Sequence, residues 1–214
     1  MKASAVSALV AGSTGQEQAL YILLAATGMR ISEALALETR HFVNEGRTIR
    51  VEQQVKKDSP KIVSYLKTNA SKREIDLPTD VAAFFQRFAD KKSGLLFSTG
   101  KNTPHLYGSL EDRWLTPKLK QLGLDEKGMG FHAFKRFRKT WLRGQRCLED
   151  LNNFWMAHKP KTMSELYSHL HEELQVRLDQ AERVGHGFNL IVALNAPEIS
   201  EQAVNQIAAQ TEEK

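Results

Sequence analysis

The feature that most constrains the fold of this chain is a change in the spacing of its apolar residues. From residue 48 to residue 78, the segments "TIRVEQQV", "KIVSYLK" and "KREIDLP" are short, rich in β-branched residues and partly alternating. Such segments predict strands, and the connecting "KKDSP" and "KTNAS" contain turn-forming residues. On both sides, apolar residues recur every three or four positions, which predicts helices. We therefore predict an α+β, mainly helical fold with a small three-stranded antiparallel sheet.

The helical segments have recognisable ends. "QEQALYILLAATGMRISEALAL" divides into two helices at Gly28, because glycine takes the left-handed conformation that ends a helix at low cost. Ser32 and Glu33 suit the first turn of the second helix. After the strands, the spacing predicts helices over residues 79–92, 110–122, 131–143, 148–156 and 165–184.

The chain divides into a lead-in, one domain and a tail. We interpret residues 1–15 as a lead-in, or as the cut edge of a longer protein, and residues 16–187 as one domain. The tail, residues 188–214, opens with the apolar "FNLIVALN", which needs a partner surface on its own chain or on a neighbouring protomer.

Cysteine content and hydropathy limit the kinds of site and the cellular compartment that are expected. Cys147 is the single cysteine, so an internal disulfide and a metal site built on several cysteines are excluded. The sequence contains no run of about 20 apolar residues that could span a membrane. We expect a cytoplasmic, DNA-associated protein without a membrane partner.

The distribution of charge favours a nucleic-acid partner. Lys and Arg total 30 against 25 Asp and Glu, a net charge of +5. The part from His171 onward is acid-rich, so the middle of the chain is more basic than the average. A local basic face is the electrostatic footprint of a DNA-binding protein, and a solvated surface is the alternative.

The segment "FHAFKRFRKTWL" combines aromatic and basic residues. At about 100° per residue, its aromatic residues share one side of a helix: Phe131, Phe134, Phe137 and Trp141. Over residues 131–143, a histidine and four basic residues fall on the opposite side: His132, Lys135, Arg136, Lys139 and Arg143. That side could hold a phosphate beside a titratable imidazole. A basic helix that only contacts the DNA backbone is the alternative.

Four segments, taken in order, resemble the catalytic domain of the tyrosine recombinases, the phage-integrase family. They are "ATGMRISEALAL", "YLKTNASKREIDLP", "FHAFKRFRKTWL" and "FWMAHKPKTMSELYSHL". Each motif alone is weak, and the ordered set is specific. The resemblance runs from about Gln16 to about Leu170.

The resemblance implies DNA recombination and integration, as in mobile elements. These enzymes cleave one DNA strand by attack of a tyrosine on a phosphodiester, which leaves a 3′-phosphotyrosine and a free 5′-hydroxyl. The covalent intermediate conserves the bond energy, so neither a metal nor a nucleotide cofactor is implied. Double-stranded DNA and a tetramer on paired sites are the implied partners. A type IB topoisomerase, which relaxes supercoils, and a catalytically weakened DNA-binding relic are the alternatives.

The resemblance also assigns roles to individual residues. Tyr167 matches the nucleophile, and Arg30 matches an arginine that clamps the phosphate. Lys67 matches the general acid that protonates the leaving 5′-oxygen. His132 matches a histidine that assists proton transfer, and His158 matches a residue that binds the phosphate.

Further residues are expected to support these groups. Glu33, one turn after Arg30, is expected to orient the groups that contact DNA, with a purely structural glutamate as the alternative. Arg136, Lys139 and Arg143 are expected to bind DNA.

The sequence departs from the family pattern at three places. Lys135 stands where the family has a second clamping arginine, so the charge is kept and the bidentate fork is lost. Ala157 precedes His158 where the family commonly has glycine. No segment before Gln16 is long enough for the helical DNA-binding domain that usually precedes the catalytic domain. A slower enzyme, an altered variant and a DNA-binding relic remain open.

Overall fold

The computed structural model of this protein describes residues 1–64, 72–90, 92–158 and 169–191. Helices dominate the described residues, in agreement with the predicted class. The α-helices are α1 Ala3–Ala11, α2 Gly15–Thr27, α3 Ile31–Ala34, α4 Thr79–Ala89, α5 Tyr107–Leu110, α6 Thr116–Gln121, α7 His132–Gly144, α8 Glu149–Trp155 and α9 Leu174–Val184. The strands are β1 Phe42–Val43, β2 Thr48–Val51, β3 Gln54–Val55, β4 Ile62–Val63 and β5 Arg73–Asp76.

The three-stranded antiparallel sheet is confirmed, and its strands differ in part from the prediction. Its order is β1-β2-β5, with Ile49 opposite Ile75, whereas "KIVSYLK" supplies β4, which pairs with β3 in a separate two-stranded sheet. The predicted strand "TIRVEQQV" is split into β2 and β3 at residues 52–53, where the side-chain amide of Gln53 donates to the carbonyl oxygen of Ala36 at 2.6 Å. The two-residue strand β1 is too short for an alternating pattern to reveal it.

Helix α2 forms the centre of the core. Its residues from Ala19 to Ala26 are fully buried, and it packs against α1 and α7. The ring of Tyr21 stacks on Phe134 of α7 with the ring centroids 5.6 Å apart. The close contact between α2 and α7 places the end of α2 beside the basic helix.

The two chain ends also contribute to this core. Residues 1–15, interpreted from sequence as a lead-in, contain α1, whose Val6 and Leu9 are fully buried. At the start of the tail, Phe188 and Leu190 are buried in the same core, so this part of the apolar patch packs on its own chain.

Two predicted helices are interrupted. The helix expected over residues 110–122 forms as α5 and α6 joined by a π-helical turn, Glu111–Leu115. In the helix expected over residues 165–184, Glu173 is extended, with φ −85° and ψ 90°, between the 3-10 turn Leu170–Glu172 and α9. Residues 165–168 lie outside the described residues.

Candidate functional site

Arg30 occupies the sharp junction between α2 and α3. Gly28 ends α2 with φ +65°, and its N–H donates to the carbonyl oxygen of Leu24 at 2.9 Å, as the sequence predicted for a glycine cap. A Cβ at Gly28 would lie 2.2 Å from Cε of Met156 and 3.0 Å from Cβ of Arg138, so these side chains would have to move to admit any larger residue. Arg30 follows as the N-cap residue of α3 and keeps 37% of its side chain exposed.

Glu33 binds both the backbone and the side chain of Arg30. The backbone N–H of Arg30 donates to Oε2 of Glu33 at 2.9 Å, and the Arg30 guanidinium donates to Oε1 at 2.8 Å. The Glu33 carboxylate is 1% exposed and forms a second ion pair with Arg73, at 3.0 Å. Burial alone would raise the pKa of Glu33, but the Arg73 charge and hydrogen bonds outweigh it and lower the pKa. Glu33 is therefore a buried carboxylate ion that fixes the Arg30 head group.

Arg73 is a member of the site that the sequence analysis did not identify. It lies at the start of β5, 6% exposed, and its Nε donates to the carbonyl oxygen of Trp155 at 2.8 Å. A signal was present in the sequence, because Arg73 and Ile75 are two residues apart in a strand and share one face. A charged residue on the apolar face of a strand indicates a buried ion pair.

Helix α7 brings His132 close to Arg30. His132 is the first residue of the helix and is exposed. Partial burial lowers the pKa of His132, and the nearby charges of Arg136, Lys135 and Arg30 lower it further. Arg30, His132 and Lys135 thus lie within electrostatic reach of one another, although they come from two separate segments of the chain.

Lys135 is buried, which the helical projection did not predict. It is 8% exposed, and its Nζ donates to the carbonyl oxygen of Met156 at 2.8 Å. Burial, and after it the charges of Arg30 and Arg73, lower the pKa of Lys135 to about 8. The projection placed Lys135 on the side of α7 that could hold a phosphate, but α8 packs against α7 and the Lys135 ammonium meets the carbonyl group at its end.

His158 is held by a tight turn at the end of α8. Ala157 has φ +55°, its N–H donates to the carbonyl oxygen of Phe154 at 3.2 Å, and the N–H of His158 donates to that of Asn153 at 2.9 Å. This pair of bonds is the Schellman motif, in which glycine normally occupies the left-handed position. The exposed His158 side chain leaves the turn directly after the strained alanine.

The three residues expected to bind DNA have different surroundings. Arg136 and Arg143 are exposed on α7, and the Arg136 guanidinium donates to the carbonyl oxygen of Gly128. Lys139 instead faces α8, with its Nζ 3.1 Å from Oδ1 of Asn152.

Tyr167 and Lys67 lie outside the described residues. The described chain on either side of residues 159–168 approaches α8. His158 follows the end of α8, and the ring of His171 lies 5.3 Å from the ring of Phe154. The carbonyl oxygen of His171 accepts a hydrogen bond from Arg177 at 2.7 Å.

Solved structures of integrases have this fold. No protein-family model and no curated protein matches the sequence. The Tn1549 transposon integrase in complex with circular intermediate DNA superposes with a TM-score of 0.60 at 21% identity, over 80% of this chain and 63% of that chain. The same integrase in complex with transposon right end DNA gives 0.58 at 22% identity, over 82% and 62%. The integrase from mycobacterium phage Brujita gives 0.61 at 18% identity, over 96% and 62%.

These superpositions confirm the fold that the sequence resemblance implied, that of an integrase catalytic domain. The chain spans less than two thirds of the length of each of these integrases. Within the described part of the chain, no helix has the length and apolar character needed to cross a membrane.

Proposed function

We propose that this chain, which has the integrase fold, is the DNA-cleaving and rejoining domain of a site-specific recombinase that acts through a 3′-phosphotyrosine. The observation that carries the proposal is that Arg30 lies within electrostatic reach of His132 and is tied through Glu33 and Arg73 to the end of α8, where the turn that bears His158 begins. A cluster of positive charge with a titratable imidazole at its edge suits a phosphodiester whose negative charge grows in the transition state.

Arg30 is the proposed phosphate clamp. Its exposed guanidinium can donate two parallel hydrogen bonds to non-bridging oxygens, while Glu33 fixes its orientation from the buried side. An oriented donor contributes more to the transition state than a mobile one, because its orientation costs nothing when charge develops. We assign His158, exposed at the end of its turn, to a second hydrogen bond to the same phosphate.

His132 is the proposed proton acceptor. Because its pKa is lowered, the neutral form of the imidazole, which can accept a proton, is favoured. A tyrosine phenol, with an ordinary pKa of about 10, is a weak nucleophile until its proton is removed or positive charge favours the phenolate. We assign to His132 the assistance of this transfer from Tyr167.

In the proposed cleavage step, one ester bond to phosphorus forms and one breaks. The Tyr167 oxygen bonds to phosphorus as its proton passes to His132, and the bond from phosphorus to the 5′-oxygen breaks. Lys67, the proposed general acid, protonates that 5′-oxygen. Attack by another 5′-hydroxyl reverses these transfers and releases Tyr167. The step needs no external energy source, because a phosphodiester is exchanged for a phosphotyrosine ester.

Duplex DNA is the proposed partner, contacted through its phosphates by Arg136 and Arg143 on α7, with Lys139 contributing charge. We also propose assembly of four protomers on paired sites, with the tail taking part. Because Phe188 and Leu190 are buried in their own domain, the segment available to a neighbour begins after them. Removal of residues 192–214 should therefore impair pairing of two DNA sites and spare cleavage of one. Equal loss of both activities would contradict a role in assembly.

Covalent trapping tests the proposal. The protein is incubated with nicked suicide duplexes of randomised sequence, and adducts that survive denaturation are isolated and mapped. We expect an adduct at Tyr167 that Tyr167→Phe abolishes while DNA binding persists. Tyr107→Phe is the matched control, because Tyr107 is a half-exposed tyrosine on α5 whose ring lies 5.9 Å from that of Phe131, so that the substitution keeps the ring contact and removes only a hydroxyl that we do not assign to the reaction.

Other outcomes would redirect the assignment. An adduct that persists in Tyr167→Phe at another residue would contradict the assigned nucleophile. Relaxation of supercoiled DNA without strand exchange would indicate a topoisomerase. Binding of DNA with no adduct from any sequence in the pool would indicate a DNA-binding relic.

A further inference from the structure

Two buried cations bind consecutive carbonyl groups at the end of α8. Arg73 Nε donates to the carbonyl oxygen of Trp155 at 2.8 Å, and Lys135 Nζ donates to that of Met156, also at 2.8 Å. The last carbonyl groups of a helix lack partners within it and carry the negative end of its dipole. Cations from β5 and α7 therefore satisfy the end of α8 directly before the turn that bears His158.

We propose that Lys135 is a positioning residue, which together with Arg73 fixes the turn that bears His158, and that its ammonium serves the protein backbone and not the DNA phosphate. The inference rests on the proposed function only for the role of His158. It gives position 135 a different task from the second clamping arginine that the sequence resemblance assigns there.

The location of the Lys135 head group supports this role. The side chain is 8% exposed, and its ammonium lies against the Met156 carbonyl at a short hydrogen-bond distance. From Met156 the effect passes to the next two residues, because the N–H groups of Ala157 and His158 close the turn back onto α8. A shift of the Met156 carbonyl therefore moves the backbone from which His158 projects.

The same framework links His158 to Arg30. Arg73, which holds the Trp155 carbonyl, also pairs with Glu33, and Glu33 binds both the backbone and the guanidinium of Arg30. A continuous series of short polar contacts thus runs from Arg30 to the end of α8. Arg30 and His158, which we assign to one phosphate, are thus held at a fixed separation. The residues that hold them, Glu33 and Arg73, are buried and have no assigned contact with that phosphate.

The compact shape of lysine suits this location. Lysine presents a point charge on a flexible stem, whereas arginine presents a planar fork with five donors. The buried Lys135 ammonium already lies within electrostatic reach of Arg73 and Arg30, whose charges lower its pKa. A larger head group there must be accommodated against the end of α8 and near two further positive charges.

The first test uses the free protein and needs no DNA. Histidine side chains are labelled for NMR, the His158 signal is assigned from its loss in His158→Gln, and amide exchange is followed at Ala157 and His158. In Lys135→Met we expect the His158 signal to move and exchange in the turn to accelerate about tenfold or more, while the rest of the protein stays folded.

Lys118→Met is the matched control for this test. Lys118 on α6 also donates to a backbone carbonyl, that of Gly12 at the end of α1, so the same charge and the same kind of bond are removed from a contact that involves neither α7 nor α8. We expect the His158 signal and the exchange of its turn to stay unchanged. A folded Lys135→Met protein that behaves like this control would overturn the proposal.

The second test separates positioning from phosphate binding. In Lys135→Arg, which keeps the buried charge, single-turnover cleavage should be no faster than in the wild type, and the His158 signal should move as the longer head group displaces the Met156 carbonyl. An acceleration of about tenfold or more with an unmoved His158 signal would overturn the proposal, because it would place the head group on the phosphate. If the wild type forms no adduct, the proposed function fails, and the NMR measurements still decide the positioning role.

Discussion

Replacement of Ala157 by glycine should stabilise this protein, because Ala157 holds a left-handed conformation with φ +55° at the end of α8. That conformation costs a residue with a Cβ about 1–2 kcal/mol. Glycine avoids the cost and loses about 0.5–1 kcal/mol through the greater freedom of its unfolded chain. The free energy of unfolding should therefore rise by about 0.5–1 kcal/mol, which corresponds to roughly 1–4 °C in the melting temperature of a chain of this length.

Ala83→Gly is the control for Ala157→Gly, and the free energy of unfolding of both variants is measured with urea. Ala83 is similarly half-buried but lies in the middle of α4, in a right-handed helical conformation. The same methyl group is removed in both variants, and Ala83→Gly should lose about 1 kcal/mol. Opposite signs for the two variants are expected. A loss in Ala157→Gly as large as that in Ala83→Gly would refute the argument that backbone strain at position 157 is relieved by glycine.

Three further outcomes are expected. Because the pKa of Lys135 is lowered to about 8, the folded protein loses this proton before the unfolded chain does. The free energy of unfolding of the wild type, relative to that of Lys135→Met, should then rise between pH 8 and pH 10.4, the ordinary pKa of lysine being about 10.4. The rise should reach up to about 3 kcal/mol, and urea unfolding at pH 7 and pH 10 measures it. Gly28→Ala should lose about 2–4 kcal/mol in the same assay, since its Cβ would lie 2.2 Å from Met156 Cε and 3.0 Å from Arg138 Cβ at a positive φ. Affinity for duplex DNA should fall steeply from about 50 to 200 mM salt, and Arg143→Gln should reduce the slope of log affinity against log salt by about one, measured by fluorescence anisotropy.

Local patterns were sufficient for most of the helices and for the class of the sheet, but not for α1 or for the interruptions at residues 111–115 and at Glu173. The spacing of Leu20, Leu23 and Leu24 predicted α2, and Gly28 marked its end, because both depend only on residues within one or two turns. The two-residue strand β1 and the pairing of β3 with β4 were not predictable in this way. Pairing depends on which segments meet in space, and short apolar runs do not encode their partners.

For the candidate site, sequence order and residue type identified Arg30, His132 and His158 as residues of interest, and their roles remain predictions. Only the tertiary structure brought Arg73 into the site, because its contacts with Glu33 and Trp155 lie 40 and 82 residues away in the chain.

Lys135 shows the limit of sequence reasoning most clearly. Its position on α7 gives the direction of the side chain, which helical geometry determines. Whether that direction meets solvent, DNA or protein depends on α8, a helix that the chain forms later and packs against α7. The sequence alone therefore determined that a cation stands at position 135. The packing of α8 decided that this cation is buried against the Met156 carbonyl, with a pKa lowered by burial and by neighbouring arginines.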